Sequence, residues 1–289
     1  MSKYFLLLRP RQWFKNIFVF AGLLFSKEFY DPESIITSLY TFAVFCLLSS
    51  GVYILNDILD YREDRVHPLK SKRPIAANGI PRKNGLIISI VCFILALTGS
   101  YAVSTELFLV CAIYGIMMVL YSLVVKHIIL LDILFVAMGY VLRAIAGAVA
   151  IQVVISSWLL LCSLLLALLI VIAKRRNEIE TLGTQHATIH RKTLARYPVA
   201  LLNQMISIVS AACIVSYCLY TLAPETVSKF HTRNLIFTVP FVLYGVFRYL
   251  YLTFHKKSQP PDHVIVSDIP LLICLLLWVG SCAVILTFS

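Results

Sequence analysis

Three observations predict an all-α integral membrane protein with about nine transmembrane helices. Hydrophobic residues make up 60% of the 289-residue chain and charged residues only 13%, where soluble domains run near about 25% charged. The mean hydropathy is +0.87. The apolar residues fall in long unbroken runs, not the short alternating segments of a membrane barrel. Helices satisfy their own backbone hydrogen bonds in lipid, so runs of this length read as helical spans.

The runs lie near 13–26, 35–55, 86–104, 107–125, 130–151, 157–173, 201–222, 235–254 and 269–288. The first is the weakest. Trp13 to Phe25 is shorter than the about 20 residues that a helical span needs, and Lys15 interrupts it. It also suits an interfacial helix. The Phe5–Leu8 run before it is too short for the core of a signal peptide, so the N-terminus is expected to be retained. Cys46, Cys92, Cys111, Cys162, Cys213, Cys218, Cys274 and Cys282 all fall inside apolar runs without a CxxC pair. They read as small apolar fillers.

Nine spans divide the basic residues unevenly. One side takes Lys3, Arg9, Arg11, Lys15, the seven from Arg62 to Lys83, Lys126, the six from Lys174 to Arg196, Lys256 and Lys257. The other takes Lys27, Lys229 and Arg233, a ratio of 20 to 3. The basic side is expected to be cytoplasmic, in a bacterial-type plasma membrane. The net charge of +11 suits anionic lipid or a phosphate-rich substrate. Nucleic acid fits poorly, because the cations are dispersed among loops between spans.

On that side the second span ends in Asn56-Asp57-Ile58-Leu59-Asp60-Tyr61-Arg62-Glu63-Asp64. At helical spacing Asn56, Asp60, Asp64 and Asp57 fall at about 0°, 40°, 80° and 100° on one arc. Oxygen donors gathered at a membrane boundary suit a hard cation such as Mg²⁺, which commonly bridges to substrate phosphates. Pro68, Pro74 and Pro81 then forbid a continuous helix and shape a loop. That loop puts Lys72 and Arg73 where metal-bridged phosphates would lie, and Arg grips two oxygens at once.

A second loop carries Tyr121, Ser122, Lys126 and Asp132, each able to serve a ligand or cap a helix. A third, near 174–198, opens with Lys174-Arg175-Arg176-Asn177-Glu178-Ile179-Glu180. These cations suit either a phosphate clamp or a simple end to the membrane span. Arg143 lies 11 residues past Asp132, about 20° around the helix and about 16 Å deeper. An intramembrane arginine faces a polar cavity or a partner. Arg248, nearer a span end, is expected to snorkel. His186 and His190 lack an HExxH context and read as residues of a polar loop.

Assembled, these residues resemble the UbiA superfamily of intramembrane prenyltransferases. Asn56, Asp57, Asp60 and Asp64 match its NDxxDxxxD motif, and Arg73-Pro74-Ile75 is similar to its RPI segment. The likeness covers essentially the whole chain and implies one catalytic domain of nine helices around a central cavity. Ordinary members carry a second motif, DxxxD, after span six. Here Lys174-Arg175-Arg176-Asn177-Glu178 stands in that place, without an aspartate. That departure resembles the branch of decaprenyl-phosphate phosphoribosyltransferases. So do Arg9-Pro10-Arg11-Gln12-Trp13-Phe14-Lys15-Asn16, Arg143-Ala144-Ile145-Ala146-Gly147 and Phe247-Arg248-Tyr249-Leu250-Tyr251.

The resemblance implies transfer of 5-phosphoribose from 5-phosphoribosyl 1-diphosphate to a polyprenyl phosphate, with Mg²⁺ as cofactor and diphosphate released. Asn56, Asp57, Asp60 and Asp64 are then the metal residues, the three aspartates the catalytic ones. Lys15, Lys72, Arg73, Tyr121 and Lys126 are donor-binding candidates. Arg143, Lys174 and Arg175 are candidates for the acceptor or the 5-phosphate. The runner-up is a UbiA-type enzyme joining prenyl diphosphate to an aromatic or other acceptor. A transporter is more distant, for want of an internal repeat. A homo-oligomer is compatible with the composition, which carries little trace of helix interfaces in lipid.

Overall fold

The computed structural model describes residues 3–26, 28–66, 70–154, 156–190, 196–255 and 267–288, with 181–190 described in backbone only. The expected basic residues Lys27, Arg191, Lys192, Lys256 and Lys257, with Pro68, lie outside these, as do the side chains of His186 and His190. The described residues are almost all helical, and eight helices are long and apolar enough to cross a membrane. The chain forms two compact units, 1–155 with 189–193, and 156–188 with 194–289.

The first unit holds α1 (Pro32–Leu59), α2 (Arg82–Val103), α3 (Thr105–Leu123) and α4 (Leu131–Ala150). Asp31 starts α1 by accepting from Ser34 N at 2.8 Å, and Ser104 starts α3 by accepting from Leu107 N at 3.0 Å. Such oxygens satisfy amides that a helix leaves free in its first turn. The 28 residues of α1 reach about 42 Å, beyond the about 30 Å of a hydrocarbon core. A helix of that length has room for a charged end beyond an apolar layer. Phe45, Leu48, Cys111, Tyr114 and Met118 form the buried centre.

The weak first span has a physical explanation. Pro10–Phe20 is a 3-10 helix and Ala21–Leu24 one α-helical turn, not a long α-helix. At about 2.0 Å and 1.5 Å per residue, these elements together cover about 28 Å. The segment packs along α1 and α4. Asn16, Val19, Gly22 and Phe25 are buried at intervals of three, the repeat of a 3-10 helix. It approaches α4 so closely that a Cβ on Gly147 would stand 1.8 Å from the Val19 carbonyl oxygen.

The second unit holds α5 (Ser157–His190), α6 (Val199–Leu222), α7 (Val239–His255) and α8 (Ile269–Thr287). The helix α5 continues through 174–190, where a third loop was expected. Arg175 to Glu178 at 3.1 Å and Arg176 to Glu180 at 2.8 Å are ion pairs at i,i+3 and i,i+4, spacings that favour a helix. Arg248 does not snorkel free. It grips Asp268 through two hydrogen bonds of 3.1 and 2.9 Å, while Asp268 caps α8.

Candidate functional site

The acidic motif straddles a break. Asp60 closes α1 with φ −87° and ψ 10°, and a short helix from Tyr61 to Val66 follows. The hydrogen bonds Asp60 N to Asn56 O at 2.9 Å and Asp64 N to Asp60 O at 2.8 Å carry the chain through the turn. The four predicted residues therefore stay neighbours although they do not share one straight helix. Asp57 and Asp64 are buried, at 2% and 3% exposure.

Cations from three other segments converge on these acids. Arg73 Nη1 donates to Asp57 Oδ1 at 3.0 Å and also to Asp64 Oδ2. Lys126, itself buried, donates to Asp60 Oδ1, while Asn56 Nδ2 donates to Asp60 Oδ2 at 2.9 Å. The third cation is Arg9, whose Nη2 donates to Asp57 Oδ1 beside Arg73. One oxygen of Asp57 thus carries two guanidiniums. Its other oxygen, Oδ2, is buried and accepts no hydrogen bond.

The fold delivers each cation by a definite route. The Arg73 loop is pinned by Ile75 and Ile80, buried with Leu7 and Ile54. The bond of Tyr61 Oη to Asn78 Oδ1 at 2.6 Å closes it against the acidic helix. Lys126 sits on the short turn between α3 and α4. Arg9 stands in the left-handed region, φ 53° and ψ 57°, just before Pro10. A non-glycine residue rarely adopts that conformation without a structural reason. Ser50 holds the preceding turn by donating to the Leu8 carbonyl at 2.7 Å. Burial lowers the Arg9 pKa, opposed chiefly by Asp57, while neighbouring Arg73 adds to the fall.

Deeper in the same unit, Arg143 is buried, as expected for a costly intramembrane charge. It donates to Asn16 Oδ1 at 2.7 Å, the Gly139 carbonyl at 2.8 Å and the Tyr114 hydroxyl at 2.8 Å. Its guanidinium also lies over the rings of Tyr114 and Tyr140, at 4.9 and 5.2 Å. None of these partners is a carboxylate. Asn16 in turn donates to Ser49 Oγ at 3.3 Å, tying the N-terminal segment, α1 and α4 into one polar network. Lys15 is buried on that segment and Tyr121 is buried near the end of α3. Lys72 is exposed, and no contact joins it to the acids.

In the second unit, Lys174 and Arg175 lie on α5, with Arg175 buried and paired to Glu178. Arg176 works as a staple. It donates to Asn203 Oδ1 at 2.6 Å on α6 and to Glu180 on its own helix, and lies 4.2 Å over Phe254 of α7. Sequence reasoning counted Arg9 and Asn16 only as parts of a basic, resemblance-bearing segment. Their places at the site follow from the 3-10 path of that segment.

An apolar helical protein with a cluster of acids and cations at one end of a unit is a polytopic membrane protein built around a charged site. The UbiA prenyltransferase family pattern matches residues 16–267. The chain is 30% identical to the decaprenyl-phosphate phosphoribosyltransferase of Mycolicibacterium smegmatis, over 97% of this chain and 91% of that one. It is 31% identical to the protein of that name from Corynebacterium glutamicum, over 94% and 83%. A UbiA homologue from Archaeoglobus fulgidus bound to GPP and Mg²⁺ shares the fold, with TM-score 0.75 at 18% identity over 99% of this chain and all of that one. The chain belongs to the UbiA prenyltransferase family, on the decaprenyl-phosphate phosphoribosyltransferase branch, and is a transferase.

Proposed function

We propose that this protein transfers 5-phosphoribose from 5-phosphoribosyl 1-diphosphate to a polyprenyl phosphate, releasing diphosphate. The observation that carries this reading is the 30% identity, across nearly the whole chain, to relatives named for that activity. The replacement of a second aspartate motif by Lys174-Arg175-Arg176-Asn177-Glu178 agrees with it.

The acidic residues fit a hard divalent cation such as Mg²⁺. They offer oxygen donors, and the buried Asp57 Oδ2 lacks any hydrogen-bond donor. Among the described residues, no three His, Cys, Asp or Glu stand together in a group that could hold a metal ion by itself. Water and substrate phosphate oxygens would complete the coordination, as is usual for Mg²⁺. Asn56, Asp57, Asp60 and Asp64 would hold the cation, which when bound supplies charge neutralisation for the leaving diphosphate.

The chain's own residues do the rest. Lys15, Arg73 and Lys126 hold donor phosphates and Tyr121 lies against the ribose. Arg143 in the first unit, and Lys174 and Arg175 in the second, are each candidates for the acceptor phosphate or the 5-phosphate. The lipid phosphate oxygen attacks the anomeric carbon and the diphosphate leaves from it. A phosphate monoester, with a second pKa near about 6, is already largely anionic at neutral pH, so no aspartate acts as a general base. The excess of Lys and Arg on the acidic side supports a site on the cytoplasmic face, where a soluble sugar diphosphate is available.

Detergent-purified protein given Mg²⁺, a polyprenyl phosphate and each donor in turn tests the reading. Diphosphate release with 5-phosphoribosyl 1-diphosphate supports it. Release with prenyl diphosphate and an aromatic acceptor alone would assign the chain to prenyl transfer instead.

A further inference from the structure

Arg9 reaches the acidic site from near the N-terminus, 48 positions before Asp57. Its backbone precedes the 3-10 segment in a left-handed conformation, and its side chain keeps 19% of its exposure, close to the 22% of Arg73 and above the 6% of Lys126. It holds only Asp57, whereas Arg73 holds both Asp57 and Asp64. A second resting place adjoins it, since the Arg9 guanidinium already lies 5.2 Å from the centre of the Tyr53 ring. Of the three cations, Arg9 has the least to lose by turning away.

The charges argue against entry of a bare metal ion. Asp57, Asp60 and Asp64 each already carry a cation: Arg9 and Arg73, Lys126, and Arg73 respectively. A lone dication would meet guanidinium and ammonium groups within a few ångströms, in surroundings too dry to screen them. A divalent cation complexed with a diphosphate monoester still carries net negative charge. It offers metal to the carboxylates and phosphate oxygens to the displaced cations. An arginine fork suits those oxygens as well as it suits a carboxylate.

We infer that Arg9 is a donor-binding residue that exchanges partners: it occupies Asp57 Oδ1 until metal and diphosphate arrive together, then turns to the diphosphate. This deepens the proposed function and rests on it, because it takes the acids as the metal site.

Equilibrium dialysis of Mn²⁺ against the full-length protein in detergent, with and without saturating inorganic diphosphate, tests the inference without turnover. Wild-type protein should bind Mn²⁺ at least about tenfold more tightly when diphosphate is present. Arg9→Gln should bind Mn²⁺ alone at least about tenfold more tightly than wild type, and gain less from diphosphate. Arg9→Lys keeps the charge without the fork and should fall between them, which keeps the test open if the glutamine variant does not fold. Equal Mn²⁺ affinity with and without diphosphate in wild type would overturn the exchange while leaving the metal assignment standing. No Mn²⁺ bound under either condition would remove the metal assignment itself. Variants that match wild type in both arms would take Arg9 out of the site.

Discussion

Asn16 accepts a hydrogen bond from Arg143 at 2.7 Å, joining residues 127 positions apart in the chain. This contact fastens the N-terminal 3-10 segment to α4 at a depth where neither group could find bulk water. Removing one partner leaves a buried, charged donor short of an acceptor, which costs more than the bond was worth. Asn16→Ala should therefore destabilise the protein by about 1–3 kcal/mol, read as a lower midpoint of thermal unfolding in detergent. An unchanged midpoint would mean that water or another acceptor replaces Asn16.

Close backbone approach makes a second prediction. The Cβ of Gly147→Ala would press on the Val19 carbonyl, which is backbone and cannot swing aside, whereas Gly280 has nothing within 4 Å. Gly147→Ala should cost about 1–3 kcal/mol, and Gly280→Ala, inside a helix with open space around it, should leave stability equal or slightly raised. Equal midpoints for the two variants would contradict the packing of the first segment against α4.

At the acidic site, Asp60 binds Lys126 and Asn56. Asp60→Asn keeps the shape and removes the charge needed by a hard cation. Turnover should fall by about 10²-fold, with partial recovery as Mg²⁺ is raised. Full activity at ordinary Mg²⁺ would remove Asp60 from the metal site.

Neighbouring arginines on α5 should separate by phenotype. Arg176 ties α5 to α6 and lies over a ring of α7, so Arg176→Lys should lower the unfolding midpoint, because an ammonium cannot reproduce the fork or its stacking. Replacing Lys174 and Arg175 together with Ala should raise the apparent KM for one phosphate substrate by about tenfold or more. Unchanged kinetics in the double variant would remove both from substrate binding.

The eight long helices were legible because each is an apolar run of sufficient length, and composition alone reports that. The acidic motif was legible because charge is scarce in such a chain. The path of residues 10–24 was not, since a 3-10 helix draws on the same apolar residues as an α-helix and differs only in rise. Its period of three at Asn16, Val19 and Gly22 becomes visible only once the buried side is known. Arg9 was hidden for the same reason, as an ordinary topogenic cation until the segment carries it to Asp57. The helical run past Lys174 left a usable signal in Arg175–Glu178 and Arg176–Glu180, spaced for a helix and read instead as the start of a loop. The many cations near the acids suggested phosphate binding, yet spacing gave no hint that the acids themselves hold them.

Ribose-labelled 5-phosphoribosyl 1-diphosphate, incubated with the purified protein, Mg²⁺ and polyprenyl phosphate, decides whether the pentose reaches the lipid once the lipid extract is counted. Label should enter the lipid, matched one for one by diphosphate release, and both should be lost on chelation of the metal. An unlabelled lipid extract, in a preparation that does consume prenyl diphosphate, would contradict that transfer.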